Sequence, residues 1–298
     1  MMGFFESRRI VKRERPDVVF LKGGFVGAPL GAAAGMAKIP LVTHDSDTTA
    51  GLANRLVRRW ASVHAVAGAS ENYPYDSERV RMVGVIISDD YKAPVDDKYV
   101  NACKEELSIP SDATLLFVTG GSSGSVAVNS MMDHTANQLL ENYDNLHIIH
   151  QSGRGKAGAS VSATVQERYR SVDFIDNMHV VSAAADVIVM RAGANTLAEF
   201  GAQGKACIVI PAPHLTGGHQ LKNAEYLAKK EAVVAIDQAE AESDPDVLRR
   251  QIELLLDDAS LRQGYGRRLR EYTVTDADVR IADIIERLIE ANDEEKDR

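Results

Sequence analysis

Strand-sized apolar runs and helix-sized amphipathic stretches take turns along this chain almost from end to end. Each strand has to be carried back by a helix before the next can begin, which gives a parallel sheet covered on both faces and places the chain in the α/β class. In the first part the pattern predicts strands at residues 17–21, 39–43, 63–66 and 80–83, with helices at 29–37 and 50–60 behind a basic opening helix. A polar stretch without periodicity at 89–97 reads as a linker. The second part then predicts strands at 114–119, 146–151, 172–175, 186–190, 207–211 and 233–236, with helices at 98–107, 126–141, 195–203 and 219–229. Charged helices follow from Pro245, and the last, 276–292, has the packed face Ile281, Ile284, Ile285, Leu288, Ile289, with a frayed tail at 293–298. The implied domains are 1–88 and 98–272, the second a complete doubly wound unit. The first has fewer strands than the roughly five or six such a unit needs. An upstream segment or a second polypeptide is therefore expected to complete it, together with helix 276–292.

Three glycine-rich junctions between a strand and a helix carry the candidate chemistry. Gly120-Gly121-Ser122-Ser123-Gly124-Ser125 precedes the helix at Val126. Glycines allow positive φ and close approach of a ligand, and the free N–H groups of a helix start favour an anion, so this loop is either a phosphate cradle or a plain tight turn. At Arg191-Ala192-Gly193-Ala194-Asn195-Thr196 a second junction leads to Glu199, one turn into its helix. A carboxylate facing a pocket there can accept both hydroxyls of a ribose, or it can simply sit on the helix surface. Downstream, Gly217-Gly218-His219-Gln220 precedes Asn223. In the first part Gly23-Gly24-Phe25-Val26-Gly27 is a third such loop, and His44, Asp45 and Asp47 close the next strand. No other histidine is placed near these three by sequence, so no metal site is expected.

Charge separates the two ends of the chain. Residues 1–60 hold ten Lys and Arg against five acids, whereas the whole chain carries −9. That basic end, with Met1, Met2, Phe4 and Phe5 beside Arg8 and Arg9, suggests a face for an anionic membrane or else a solvated helix. The second domain has no basic stripe, which argues against nucleic acid. The longest apolar stretch, 25–42, is broken by Gly27, Pro29, Gly31, Gly35, Lys38 and Pro40 and does not read as a membrane span. With no secretory signal at the opening and only two cysteines, Cys103 and Cys207, the expected location is the cytoplasm, peripheral to a membrane.

Taken as a set, six stretches resemble the MurG family of inverting GT-B glycosyltransferases. They are Pro16-Asp17-Val18-Val19 leading to Gly23-Gly24-Phe25-Val26; His44 to Asp47 with Ala50-Gly51-Leu52-Ala53-Asn54; His150-Gln151-Ser152-Gly153; Phe174-Ile175-Asp176-Asn177-Met178; Arg191 to Ala194 with Thr196 and Glu199; and Gln220 with Asn223-Ala224. The resemblance implies a GT-B fold, two Rossmann-like domains facing a cleft with the first truncated at its N-terminus. It implies transfer of N-acetylglucosamine from UDP-N-acetylglucosamine to a lipid-linked muramyl-pentapeptide in peptidoglycan synthesis. The donor residues carried over are Gly121, Ser122, Gly124, Ser125, Ala194, Asn195 and Thr196 at the diphosphate, Ile175 at uracil, Glu199 at the ribose, and His219 and Gln220 at the sugar. Gly23, Gly24, Gly27, His44, Asp45 and Asp47 are carried over to the lipid-linked diphosphate acceptor and the cleft. No cofactor and no essential metal are implied.

The chain also departs from that family. Asp47 stands where the family commonly has Asn, Ser125 where it has Ala, and His219 where it has Gln. Gly84-Val85-Ile86-Ile87-Ser88 replaces a Gly-Asn-Pro-Val-Arg signature, and the family's first glycine loop, with the histidine usually taken as base, has no counterpart here. No residue is assigned as the base. The alternatives are a non-catalytic or split-subunit UDP-sugar-binding module, a transferase with another lipid acceptor, and a UDP-sugar epimerase of similar architecture.

Overall fold

The computed structural model describes residues 2–93, 95–213 and 218–296; Met1 and Gly217, named above, lie outside the described residues. The chain divides into two compact units, one running to Ile87 and resuming at Val274, the other spanning Ser88–Thr273.

In the first unit, helix α1 (Met2–Glu14) is followed by β1 (Val19–Leu21), α2 (Gly27–Met36), β2 (Leu41–Asp45), α3 (Leu52–Val57), β3 (Val63–Val66) and β4 (Val80–Met82). The four strands form a parallel sheet in sequential order, with His44 opposite Ala65 and Asp45 opposite Val66. Side chains alternate across each strand. Val19, Leu21 and Leu41 pack with Ala34 of α2 and with Val57 and Ala61. On the other face Val42, Ala65 and Val83 lie under Ile281, Ile284, Ile285 and Leu288 of the last helix. The helix α2 carries glycine at position 35 because a Cβ there would overlap Trp60.

The second unit contains α4 (Asp97–Glu106), β5 (Thr114–Thr119), α5 (Val126–Asn142), β6 (Leu146–Gln151), β7 (Tyr169–Val172), α6 (Met178–Ala184) and β8 (Val187–Met190). It continues through α7 (Ala194–Ala202), β9 (Ala206–Val209), α8 (His219–Ala228), β10 (Val234–Ala235), α9 (Gln238–Ser243), α10 (Val247–Asp257) and α11 (Ala259–Glu271). The last helix, α12 (Ala277–Lys296), belongs to the first unit. The six-stranded sheet is parallel in the order β10-β9-β8-β5-β6-β7. Its central strands are rich in apolar residues because both faces are covered, as the fully buried β8 and β9 illustrate, whereas the edge strand β7 exposes Arg170 and Ser171. Leu116 and Val118 of β5 pack against Val128, Met132 and Leu139 of α5 and Ile252 of α10.

Four sequence expectations are corrected here. The strand expected at 172–175 lies earlier, at Tyr169–Val172, with Tyr169 opposite Ile148. The Tyr169 hydroxyl bonds His150 Nδ1 (2.8 Å) and accepts from Ala159 N (2.6 Å), which fixes that register, while Phe174 and Ile175 lie beyond the strand. Helix α6 was not read at all, since Val180 to Ala184 are buried all round and show no amphipathic period. Of the tail expected to fray at 293–298, residues 293–296 continue α12, and 297–298 lie outside the described residues. Within the stretch read as a linker, Ser88 caps a 3₁₀ turn at Asp89–Tyr91, and Tyr91 is buried against His179 and Phe200.

Met132 is fully buried beneath β5. Met132→Ala is expected to destabilise the protein by about 2–5 kcal/mol in urea unfolding; a loss under about 1 kcal/mol would mean that α5 is not packed there.

Candidate functional site

From β5 the sheet of the second unit grows one way through β6 and β7 and the other way through β8, β9 and β10. Where the order reverses, the loops after two adjacent strands part, and a crevice opens beyond their carboxyl ends. The loops that part here follow β5 and β8. They are the first two glycine-rich junctions read from the sequence.

The loop after β5 is a closed turn in which some backbone donors bond within the loop and others have no acceptor. Gly121 N donates to Thr119 Oγ1 (3.0 Å) and Gly124 N to Gly121 O (2.9 Å). Gly121 and Gly124 have φ of 84° and 65°, and a Cβ on Gly121 would meet open space. No hydrogen bond is made by the amides of Ser122, Ser123 or Ser125 to any acceptor among the described residues. Ser125 is buried, and its Oγ accepts from Val128 N (3.3 Å), so its hydroxyl serves as the cap of α5. Three unpaired amides beside the positive end of a 17-residue helix are an arrangement that can hold an anion, hence the term anion cradle.

Behind that cradle stands a residue that sequence reading had quoted in a motif without giving it a role. Gln151, fully buried, donates through Nε2 to Gly121 O (2.9 Å) and accepts at Oε1 from Ile175 N (3.2 Å). One side chain thus ties the anion loop to the Ile175 segment. Beside it, His150 Nε2 contacts Asn129 Oδ1 (3.1 Å), and Asn129 Nδ2 donates to Ser152 O (3.0 Å). Burial pulls the His150 imidazole down to about 4. It is therefore neutral, and the network assigns its proton to Nε2 because Asn129 offers an acceptor there.

The junction after β8 supplies the carboxylate. Glu199 is half-buried on α7, and its carboxylate has no hydrogen bond or ion pair among the described residues. Burial alone raises its carboxyl from 4.5 to about 7, and the Tyr91 phenol is in turn held above its ordinary value by its own burial and by the charge of Glu199. Ala194, Asn195 and Thr196 form the first turn of α7. Arg191 reaches Gln238 Oε1 at 3.3 Å. At the start of α8, Gly218 has φ 63° and His219 is half-buried. Gln220 Oε1 accepts from Ala212 N (3.0 Å) and Asn223 Nδ2 donates to Ala192 O (3.2 Å), so α8 is tied to the ends of β8 and β9. Sequence reading missed these tying roles of Gln220 and Asn223, which only the strand order makes visible.

The first unit treats its candidates differently. Gly23 and Gly24 have φ of 85° and 80°, and next to them Phe25 and Val26 are 88% and 67% exposed. Gly27 is buried against Leu21. His44 and Asp45, expected at the acceptor cleft, are both buried and bonded within the first unit. His44 is fully buried with Nε2 on Gly84 O (2.9 Å), and burial holds its imidazole below the ordinary value. Asp45 accepts from Gly51 N (2.8 Å), Asn54 Nδ2 (2.9 Å) and the Tyr75 hydroxyl (2.7 Å). These bonds satisfy a buried carboxylate and fasten the start of α3, a structural task. Asp47 stays half-buried, and its carbonyl accepts from the Tyr73 hydroxyl (2.8 Å). No group of three or more His, Cys, Asp or Glu that could hold a metal occurs among the described residues.

Two parallel-sheet α/β units, one with an anion cradle and a carboxylate at its switch point, are those of the GT-B glycosyltransferase fold. Residues 1–66 match the glycosyltransferase family 28 N-terminal domain and residues 115–280 its C-terminal domain. The transferase of Geobacter sulfurreducens named "UDP-N-acetylglucosamine--N-acetylmuramyl-(pentapeptide) pyrophosphoryl-undecaprenol N-acetylglucosamine transferase" is 33% identical over 286 residues, 95% of this chain and 76% of its own. The crystal structure of Acinetobacter baumannii MurG superposes with a TM-score of 0.76 at 25% identity, over 95% of this chain and 77% of that one. A UDP co-structure of S. aureus MnaA shares the fold at 15% identity, with a TM-score of 0.65 over 94% of this chain and 78% of that one. Alignments to curated relatives that bear the Geobacter enzyme's name span 62% to 77% of their length. The chain belongs to the MurG transferases of glycosyltransferase family 28.

A carboxyl raised on folding keeps its proton where the unfolded chain has already lost it, so between 4.5 and about 7 the native state loses stability as pH rises. Glu199→Gln removes that penalty. In urea melts the variant is expected to gain stability over the native protein as pH rises through this window, and to keep the gain above it. Parallel pH profiles for the two proteins would contradict the burial of this carboxyl.

Proposed function

We propose that this chain transfers N-acetylglucosamine from UDP-N-acetylglucosamine to a lipid-linked muramyl-pentapeptide diphosphate in peptidoglycan synthesis, with inversion at the anomeric carbon. The observation that carries the donor side is the half-buried Glu199, its carboxylate without a hydrogen bond, on the helix that follows β8, next in the sheet to the strand whose loop holds the three free amides. A nucleoside diphosphate asks for that combination: a carboxylate for two ribose hydroxyls and N–H donors for phosphate oxygens. In this reading Ile175 lies beside uracil and Glu199 takes the ribose. The diphosphate rests on Gly121, Ser122, Gly124, Ser125, Ala194, Asn195 and Thr196. Ser125 contributes its amide, because its hydroxyl caps α5. His219 and Gln220 meet the sugar, Gln220 through the Nε2 that its bond to Ala212 leaves over.

In the reaction the acceptor hydroxyl oxygen bonds to the anomeric carbon while the bond from that carbon to the diphosphate oxygen breaks. The electron pair leaves with UDP, whose growing charge the fixed amides and the starts of α5 and α7 stabilise without reorganising. The hydroxyl proton passes to a general base, for which no residue of this chain is assigned. No metal is invoked.

The acceptor side belongs to the first unit. Gly23 and Gly24 present a left-handed turn flanked by exposed Phe25 and Val26, an apolar and backbone-rich surface suited to a lipid-linked diphosphate. No helix among the described residues is long and apolar enough to cross a membrane. A recess of about 830 Å³ lined by Phe5, Arg8, Arg9, Lys12, Arg15 and Met36, among others, supports a peripheral seat on the anionic cytoplasmic face.

UDP-N-acetylglucosamine at about a hundred times its Kd is expected to stabilise the native protein by about 2.7 kcal/mol, and Glu199→Ala to abolish the accompanying rise in melting temperature. A native protein whose melting temperature ignores the nucleotide overturns the donor assignment. For the membrane face, sedimentation with phosphatidylglycerol vesicles is expected to fall with added salt and with Arg8→Glu plus Arg9→Glu. Equal sedimentation of the variant would remove α1 from that role.

A further inference from the structure

The loop after β6 reaches under the anion cradle and touches it at its backbone. Gly153, with φ 97°, lies against Gly124 so closely that a Cβ on either glycine would overlap the other loop. Lys156 closes this second loop, with its N donating to Gly153 O (3.0 Å) and its O accepting from Ser152 Oγ (3.1 Å). The Lys156 ammonium then donates to two carbonyls of the cradle, Ser123 O at 2.7 Å and Gly124 O at 3.1 Å. Among the described residues no carboxylate pairs with it. A full positive charge is thus seated on carbonyls of the turn that carries the unpaired amides.

Each of those carbonyls shares a peptide group with the next N–H. The carbonyl of Gly124 belongs with the amide of Ser125, which has no protein acceptor. A cation on the oxygen draws electron density along the peptide and strengthens the N–H at its far end as a donor. It also fixes the orientation of the turn, so that little reorganisation is needed when an anion arrives. We propose that Lys156 is a positioning residue for the donor diphosphate, holding and polarising the Gly121–Ser125 turn from behind. This rests on the reading of the second unit as a nucleoside diphosphate site.

The test is titration calorimetry of UDP and of uridine against the native protein, Lys156→Met and Lys156→Arg, each first checked for a native circular dichroism spectrum. Lys156→Met is expected to weaken UDP about tenfold, the size of one charge-assisted hydrogen bond, and uridine less than about twofold. The ratio of the two dissociation constants is then about tenfold smaller, and Lys156→Arg, which keeps the charge, restores most of it. A native ratio in Lys156→Met overturns the proposal, as does an equal loss for both ligands, which would make the residue a general prop of the loop. If the native protein binds neither ligand, the donor reading itself falls, and this proposal with it.

Discussion

Between β5 and β8 the sheet of the second unit changes its direction of growth, and almost everything proposed for this chain follows from that reversal. Two neighbouring parallel strands send their chains apart there, so the backbone groups at their carboxyl ends have no sheet or helix to satisfy them. The amides of Ser122, Ser123 and Ser125 are left as donors without acceptors, and the Glu199 carboxylate is left as an acceptor without a donor. Ser122 and Ser123 are exposed, whereas Ser125 is buried and Glu199 half-buried, so the last two carry the cost of standing without a partner. A ligand with hydroxyls at one end and anionic oxygens at the other converts each into a bond.

Keeping such a site rigid without filling it requires support from behind, and buried polar side chains provide it. Gln151 joins the anion loop to the Ile175 segment, Asn129 and His150 hold the carbonyl of Ser152, and the Tyr169 hydroxyl anchors His150 and Ala159 together. A neutral imidazole is essential to that chain, since a protonated ring would place a second donor against hydroxyl and amide groups that have already committed their own. Burial supplies the neutrality, at the ordinary cost of a group that no longer titrates near physiological pH. The two glycines that touch, Gly124 and Gly153, are required by the same arrangement, because any side chain there would part the loops.

Much of this was legible before the coordinates. Strand β5 at residues 114–119 and β6 at 146–151 fall where the apolar runs put them, because parallel strands buried on both faces carry apolar centres, here Leu115 to Val118 and Ile148 with Ile149. The turn itself was legible, because Gly121 and Gly124 take the positive φ it needs, but not whether it holds an anion or is a plain tight turn. What escaped was information held across the sheet. Phe174 and Ile175 look like the end of a strand, yet the bonds of Tyr169 set the register three residues earlier, and α6 hides its helicity by being apolar on every side. His44 and Asp45 look like a polar cluster at a strand end, the usual place for chemistry, but Gly84, Gly51, Asn54 and Tyr75 consume their bonding capacity. Lys156 carries no sequence signal at all, because its partners are carbonyls 32 and 33 residues away.

The most direct measurement is the crystal structure of the protein with UDP bound. The account places phosphate oxygens within hydrogen-bonding distance of the Ser122, Ser123 and Ser125 amides, the ribose hydroxyls on the Glu199 carboxylate and the uracil beside Ile175. Nucleotide bound elsewhere on the second unit, with the Gly121–Ser125 turn untouched and the Glu199 carboxylate still without a partner, would contradict it.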